Sequence, residues 1–253
     1  MSTAYSIPAM MRYVRRPYFP AGRDPVGEEA LRHLTQLLFL SLAVMLLVSS
    51  MVGAVVSGVL GDVPENINDT VGRENPAQLL FYGVILAPIV EELLFRSWLG
   101  GRRACIIGLP VLLSFYAVSM AVAVGIPAMT ALAMAGGLSA LIYGVARRFL
   151  RLSVSEQKAA RWRLFPAAFY GSAMLFGLLH LTNFDGGLSS PVMLIAVLPQ
   201  ALVGLVLGYV RMRFGLFAAM IFHALYNLVL IGLFLTAMAL TPVESAALVP
   251  VLH

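Results

Sequence analysis

Long apolar runs dominate this sequence and restrict the folds that are open to it. Several uncharged or nearly uncharged stretches reach about 20 residues, the length that crosses a bilayer as a helix. Of all residues 60% are hydrophobic and only 11% are charged, too few charges to cover the surface of a soluble domain. The runs are continuously apolar rather than alternating, which favours helices over a closed barrel. The sequence therefore predicts an all-α, polytopic membrane protein with about seven transmembrane helices.

Polar segments divide these runs and set the expected boundaries. A basic arm at 1–35 precedes a helical domain at 36–240, and a short external tail at 241–253 follows. Within the arm, Asp24 and the proline after it predict the start of a helix that leads into the first span. The basic linker at 147–164 predicts a separate amphipathic helix at the membrane surface. We place the seven spans at 36–60, 78–99, 104–124, 126–146, 165–184, 191–210 and 215–239.

The basic residues indicate how these spans are oriented. If the N-terminus is cytoplasmic, all but two of the 17 Lys and Arg residues fall on the cytoplasmic side, the exceptions being Arg73 and Arg96. Cytoplasmic loops carry an excess of Lys and Arg, so the sequence predicts a cytoplasmic N-terminus and an external C-terminus. The positive charge then indicates contact with anionic lipids of the bilayer. It does not indicate a nucleic-acid partner.

A few polar side chains lie inside the apolar runs, where they are costly. A charged residue near the bilayer centre costs about 2.5–3.5 kcal/mol on insertion scales, so such residues usually serve a function. The polar residues inside the apolar runs fall on only three of the seven predicted spans. Polar residues that arose independently of one another would not be expected to cluster in this way. The set consists of Glu91, Glu92, Arg96, His180 and His223, together with the amide of Asn227.

Helical spacing sorts these residues into pairs. Glu92 and Arg96 are four residues apart, so they share a helix face and can form an ion pair. Glu91 is rotated by about 100° from Glu92 and lacks a local counter-charge, which leaves its carboxylate available. Phe176 and His180 share a face of the fifth span in the same way, and so do His223 and Asn227 in the seventh. Any one of these pairs alone could serve only for packing or for a hydrogen bond between helices.

Taken together, the groups suit the activation of water. A carboxylate in a cavity of low dielectric can act as a general base, and a histidine can relay the proton. A second histidine and an amide can donate hydrogen bonds to a developing oxyanion. The same residues also allow a zinc site, because Glu91, His180 and His223 form a His₂Glu ligand set. The residues by themselves leave both chemistries open.

Three motifs, taken in their order along the chain, resemble the CPBP family. These proteins are the CAAX-protease and bacteriocin-processing (Abi) intramembrane endopeptidases. The local segments APIVEELLFRSWL, LLFGLLHL and AAMIFHALYNL are similar to family segments as well. The resemblance implies a peptide hydrolase acting inside the membrane. The motifs are Glu91-Glu92-x-x-x-Arg96, Phe176-x-x-x-His180 and His223-x-x-x-Asn227.

The resemblance also implies roles for individual residues. Glu91 would be the general base on water, acting with His180, while His223 and Asn227 would form the oxyanion site. The family has been described both as zinc-dependent and as metal-independent. We favour the reading without a cofactor, with Zn²⁺ as the alternative. The supporting residues implied are Glu92, Arg96, Phe176 and Asn183.

The chain departs from the family pattern between the first two motifs. The segment at 104–164, two spans and the basic linker, is interpreted as an inserted helical hairpin that preserves the direction of the fifth span. Glu91 lies late in a span that runs inward, whereas His180 lies late in a span that runs outward. At a rise of 1.5 Å per residue, straight spans with these boundaries would place the two side chains at different depths. Longer helices, tilt, a kink at Pro88 or different boundaries must therefore bring them together.

Two other functions remain as alternatives: a non-catalytic membrane scaffold of the same fold, and a proton-coupled transporter with buried Glu and His residues. For the protease, the expected partner is a membrane-anchored protein or peptide. The basic residues are nearly all arginine, which is typical of a high-GC bacterium, so we expect a bacterial inner membrane. CAAX prenylation is generally absent from bacteria, so substrates without a prenyl group rank higher than prenylated ones.

The predicted orientation can be tested with reporter fusions. Fusions at Thr3 and at Leu252 should report opposite sides of the membrane, the first cytoplasmic and the second external, because the cytoplasmic loops carry the positive charge. A phosphatase that is active only outside and a fluorescent protein that folds only inside give the readout. Both fusions reporting the same side would mean an even number of spans.

Overall fold

Helices are the regular secondary structure of the residues that the computed structural model describes. These residues are 5–60, 75–100, 114, 126–150, 154–183 and 193–240, and they include no β-strand. The predicted all-α fold class is therefore confirmed. The α-helices are α1 Ile7–Arg15, α2 Glu28–Leu60, α3 Pro76–Leu80, α4 Ala87–Arg96, α5 Ala128–Leu150, α6 Val154–Leu179, α7 Met193–Ala196, α8 Leu198–Phe214 and α9 Leu216–Leu240.

Several of the described helices are long and apolar enough to cross a membrane, as the hydropathy predicted. The four that qualify by length and composition are Glu28–Val56, Pro76–Gly100, Leu194–Phe214 and Leu216–Ala237. Shorter apolar helices, Leu132–Val145 and Arg163–Leu179, match two more predicted spans. The predicted span at 104–124 lies outside the described residues apart from Ser114, and the tail at 241–253 does so entirely. A multi-pass membrane protein is confirmed, while the number seven and the orientation stay predictions.

Two predicted boundaries are wrong. Helix α2 begins at Glu28 rather than beside Asp24, whose carboxylate instead pairs with Arg213 at 2.6 Å and whose amide donates to the Arg213 carbonyl. A tertiary ion pair thus replaces the expected local cap. The predicted surface helix at 147–164 is also not separate, because its second half is continuous with the fifth span as α6. Pro166 lies inside α6 and removes only one backbone hydrogen bond.

The N-terminal arm packs into the hydrophobic core through α1. Ser6 caps this helix by accepting a hydrogen bond from the Ala9 amide, and a proline lies in its first turn. One face is apolar, and Met10 and Tyr13 on that face are each only 4% exposed. The Tyr13 ring lies edge-on to Phe169 of α6, with the ring centroids 5.7 Å apart. The arm is therefore a packed part of the helical domain.

Glycines allow α6 and α8 to approach closely. A Cβ added at Gly204 would lie 3.1 Å from the Cα of Ala173, and one at Gly208 would lie 2.8 Å from the Phe169 ring. On the opposing helix, a Cβ at Gly177 would lie 2.9 Å from Ala201. Close approach of backbones is the usual way in which membrane helices associate. These contacts set the position of α6, the helix that carries Phe176 and leads into His180.

Replacing Gly204 with leucine should destabilise the protein, because the added side chain has no room against the α6 backbone. Overpacking of this kind costs about 1–3 kcal/mol. Gly171 on α6 is the matched control, since no atom lies within 4 Å of the position of its Cβ. We expect a clear drop in the thermal midpoint of detergent-purified Gly204→Leu and little change in Gly171→Leu. Equal midpoints for the two variants would contradict this account of the α6–α8 interface.

Candidate active site

Helix α4 carries a fully buried ion pair. Arg96 Nη1 donates to Glu92 Oε1 at 2.8 Å, and both side chains are 0% exposed. The pair joins adjacent turns of one helix, as the i, i+4 spacing predicted. Burying two charges is expensive, and the expense is offset only if further contacts satisfy them. The surroundings of the pair are therefore the core of the site.

Phe176 provides the surface on which Arg96 lies. The Arg96 guanidinium carbon is 4.1 Å from the centroid of the Phe176 ring, a close cation–π contact. Within the described residues, Arg96 Nε and Nη2 have no hydrogen-bond partner, so the ring face substitutes for hydrogen bonds. Phe95 packs edge-on to the same ring. Phe176 thus acts as a platform for the charged cluster, a role that its spacing from His180 did not reveal.

His223 lies between the two glutamates. Its Nδ1 donates to Glu92 Oε1 at 3.1 Å, and its Nε2 lies 3.6 Å from Glu91 Oε2. The ring is only 3% exposed and lies edge-on to Phe176. Because Nδ1 is occupied by Glu92, the ring is oriented with Nε2 towards Glu91. The predicted lack of a local counter-charge for Glu91 holds along its own helix, but α9 supplies a histidine from across the interface.

Glu91 and Glu92 occupy different environments although they are neighbours in sequence. Glu92 is fully buried and accepts two hydrogen bonds at Oε1, while its Oε2 has no hydrogen-bond partner among the described residues. The Glu91 side chain is 18% exposed, and its carboxylate makes no hydrogen bond to another described residue. One carboxylate is thus held as part of the scaffold, and the other faces a partly open space.

His180 joins the same cluster from α6. Its Nδ1 donates to the Phe176 carbonyl at 2.8 Å, which leaves Nε2 as the acceptor of the neutral ring. The ring centroid is 4.9 Å from that of Phe176, and the charge of Glu91 acts on it. The backbone of Asn183 lies in the same 3₁₀ turn, His180–Asn183, but its side chain lies outside what the structure describes.

Glu91 and His180 lie in one cluster, although the helical rise alone would separate them. Arg96, on the same helix as Glu91, and His180 both contact the Phe176 ring. Helix α4 stops at Arg96 and is followed by a 3₁₀ turn, Trp98–Gly100, in which Leu99 is only 4% exposed. The end of the second span is therefore packed inside the helical domain, against the second half of α6.

Asn227 bonds to the backbone just ahead of the glutamates. Its Nδ2 donates to the Gly83 carbonyl at 2.8 Å. Gly83 lies in a π-helical segment, Phe81–Leu86, that joins α3 to α4. Such segments are frequent at functional sites because they free backbone groups and re-aim side chains. One N–H of the Asn227 amide thus positions the side chain. The other N–H is the one that would serve the predicted oxyanion role.

Side chains from two neighbouring helices cap the buried C-terminal end of α4. Ser172 Oγ donates to the Phe95 carbonyl at 2.7 Å. Arg211 donates to the next two carbonyls, from Nε to Arg96 at 3.0 Å and from Nη2 to Ser97 at 3.4 Å. A helix end that is buried without such donors leaves its last carbonyls unsatisfied. Sequence reasoning had counted Arg211 only as a topology charge.

The residues that could hold zinc are not arranged as a metal site in the described part of the chain. No group of three His, Cys, Asp or Glu side chains there is placed to hold a metal ion. The two nitrogens of His223 face Glu92 and Glu91, and His180 Nδ1 is bonded to a carbonyl. Glu91, His180 and His223 thus form no such group as they lie, although each histidine is hydrogen-bonded through Nδ1, as histidines that bind a metal through Nε2 usually are.

The fold and this cluster define a helical membrane protein with a buried site of glutamate, histidine and arginine side chains. The sequence profile of the family described as "Type II CAAX prenyl endopeptidase Rce1-like" matches residues 73–229, more than half of the chain. The chain belongs to this family of CAAX intramembrane proteases, so its activity is in general that of a peptide hydrolase. The suspected resemblance to CPBP proteases is confirmed. Neither the curated proteins nor the solved structures contain a significant match.

Replacing Arg211 with methionine should destabilise the protein, because the carbonyls of Arg96 and Ser97 then lose their donors. A buried polar group left unsatisfied costs about 1–3 kcal/mol. Arg211→Lys should recover only part of the loss, since one ammonium cannot reproduce the fork of donors. Arg148→Met, at an exposed position on α5, is the control. The thermal midpoints of the purified variants are compared in detergent. An Arg211→Met midpoint equal to that of the control would contradict the capping role.

Proposed function

We propose that this chain is an intramembrane endopeptidase that hydrolyses a peptide bond with water activated by Glu91 and His180. The single observation behind the proposal is the contrast between adjacent glutamates. Glu92 is fully buried and held by Arg96 and His223, whereas Glu91 is partly exposed and makes no hydrogen bond within the described residues. A base must be reachable by water and substrate, which favours the partly exposed Glu91 over the fully buried Glu92.

Water is the nucleophile in this scheme. Its oxygen attacks the carbonyl carbon of the scissile bond while Glu91 accepts one proton. His180 assists through Nε2, the nitrogen left as acceptor by the Nδ1 bond to the Phe176 carbonyl. When the C–N bond breaks, the proton held by Glu91 or His180 passes to the leaving nitrogen. The atoms balance as one water consumed, with one carboxylate and one amine formed.

The tetrahedral intermediate needs hydrogen-bond donors for its oxygen. In our proposal these are His223, through a protonated Nε2, and the second N–H of Asn227. Glu92 orients His223 through its Nδ1 and Arg96 holds Glu92, so the supporting residues fix the donor rather than react. Truncating one oxyanion donor costs about 100- to 1,000-fold in kcat in other hydrolases, so Asn227 and His223 matter on this scale.

The substrate in this proposal is a membrane-anchored protein or peptide. The site is built from helices long enough to cross a bilayer, so the scissile bond has to reach it from the membrane or its surface. The nearly exclusive use of arginine over lysine supports a bacterial inner membrane as its location. On that ground we favour substrates without a prenyl group, such as a bacteriocin leader or a membrane-anchored regulator.

Neutralising each glutamate in turn should distinguish a catalytic role from a structural one. Glu91→Gln should lower kcat by at least about 100-fold with a thermal midpoint near that of the wild type, because it removes the base and no ion pair. Glu92→Gln should lower both activity and midpoint, since it leaves the buried Arg96 charge without its partner, at a cost of about 3–5 kcal/mol. Cleavage of a fluorogenic membrane peptide by the purified variants gives kcat. Near-normal turnover by Glu91→Gln would refute its assignment as base.

Chelation should leave the activity intact. Glu91 is the free carboxylate of the cluster, and in a zinc mechanism it would have to be both ligand and base, because Glu92 is held by Arg96. We expect full turnover after prolonged treatment with 1,10-phenanthroline and substoichiometric zinc by elemental analysis. About one zinc per chain, with activity lost on chelation and restored by added Zn²⁺, would establish the alternative ligand set Glu91, His180 and His223.

A further inference from the structure

A second concave site lies between the N-terminal helix and the end of α8. It has a volume of about 530 Å³, within the range of small-molecule sites. We call it the arginine pocket. Its α8 residues, Tyr209 and Arg213, lie on either side of Arg211, which caps α4, but none of the proposed catalytic residues lines the pocket. Its principal lining residues are Arg12, Arg16 and Arg213 with Tyr13, Tyr18 and Tyr209.

The charge of the arginine pocket is strongly positive. Arg213 is balanced by its ion pair with Asp24. Arg12 and Arg16 make no ion pair with any carboxylate of the described residues, and no acidic side chain is among those that line the pocket. Two arginine side chains without an ion-pair partner among the described residues therefore line one shared space. Such groups recognise phosphate in particular, because their planar fork matches two phosphate oxygens.

The walls of the pocket are fixed rather than loose. Tyr13 OH donates to the Tyr18 carbonyl at 2.9 Å, and its ring lies edge-on to Tyr209 at a centroid distance of 5.4 Å. Tyr170 OH donates to the Val14 carbonyl at 2.7 Å and so ties the end of α1 to α6. Burial raises the pKa of the Tyr13 hydroxyl, so this side chain stays neutral and does not repel an anion. The tyrosine wall is therefore preorganised, and that part of the pocket loses little freedom when it binds a ligand.

The position of the pocket indicates where its ligand comes from. Arg213 ends a helix that is long enough to span the membrane, at the end that the arginine distribution predicts to be cytoplasmic. Basic pockets between transmembrane helices on this side bind the headgroups of acidic lipids. We propose that the arginine pocket binds a phosphate-bearing anion, which in the membrane is the headgroup of an acidic phospholipid.

The test measures binding of short-chain lipids to the purified full-length protein in a neutral detergent. The probes are dihexanoyl phosphatidylglycerol, dihexanoyl phosphatidylcholine and inorganic phosphate, titrated by calorimetry. The pocket variant is Arg12→Gln with Arg16→Gln, both at exposed positions. The matched control is Arg15→Gln with Arg148→Gln, which removes the same charge from exposed arginines that do not line the pocket. Thermal midpoints verify that both double variants are folded.

We expect the Kd for phosphatidylglycerol to rise at least about tenfold in the pocket variant and to change less than about twofold in the control. Phosphatidylcholine should bind at least about tenfold more weakly than phosphatidylglycerol. Inorganic phosphate that binds with the same dependence on Arg12 and Arg16, without phosphatidylglycerol binding, would support the phosphate site and assign it to a soluble anion. Equal losses in the two double variants, or no loss in either, would overturn the proposal.

Discussion

The buried pair of Glu92 and Arg96 is the interaction on which the rest of the structure depends. Neither side chain has any exposure to solvent or lipid, so every compensating contact has to come from the protein. Phe176 covers the guanidinium, and His223 supplies a second hydrogen bond to the carboxylate. These partners lie on α6 and α9. Satisfying one ion pair on α4 therefore requires three helices to converge at one depth.

The convergence of these helices also gives the two glutamates different environments. Glu92 is fully buried and bound through Oε1 to Arg96 and His223, whereas Glu91 lies beside His223 at 3.6 Å and is 18% exposed. The buried end of α4 supports the same arrangement, since Arg211 and Ser172 satisfy its last carbonyls and hold both glutamates in place. The proposed chemistry thus depends on donors that do not touch the reacting atoms.

Local relations were predictable from the sequence, and relations between helices were not. The Glu92–Arg96 pair and the contact of Phe176 with His180 both follow from helical spacing within one segment. The position of His223 between two carboxylates depends on the relative depth of α4 and α9, which no periodicity encodes. Arg211 was missed for a related reason: an arginine near a helix end is equally typical of a membrane-surface charge, and only tertiary packing shows it buried against α4.

The most direct test of this account is a double-mutant cycle on the ion pair, with stability as the readout. Glu92→Gln and Arg96→Met are made singly and together, and the thermal midpoint of each is measured in the same detergent. If the pair is the buried interaction described here, each single variant strands a charge, and the double variant is more stable than either, with a coupling of about 3 kcal/mol or more. Losses that simply add would mean that the two charges are satisfied independently, which would contradict the account.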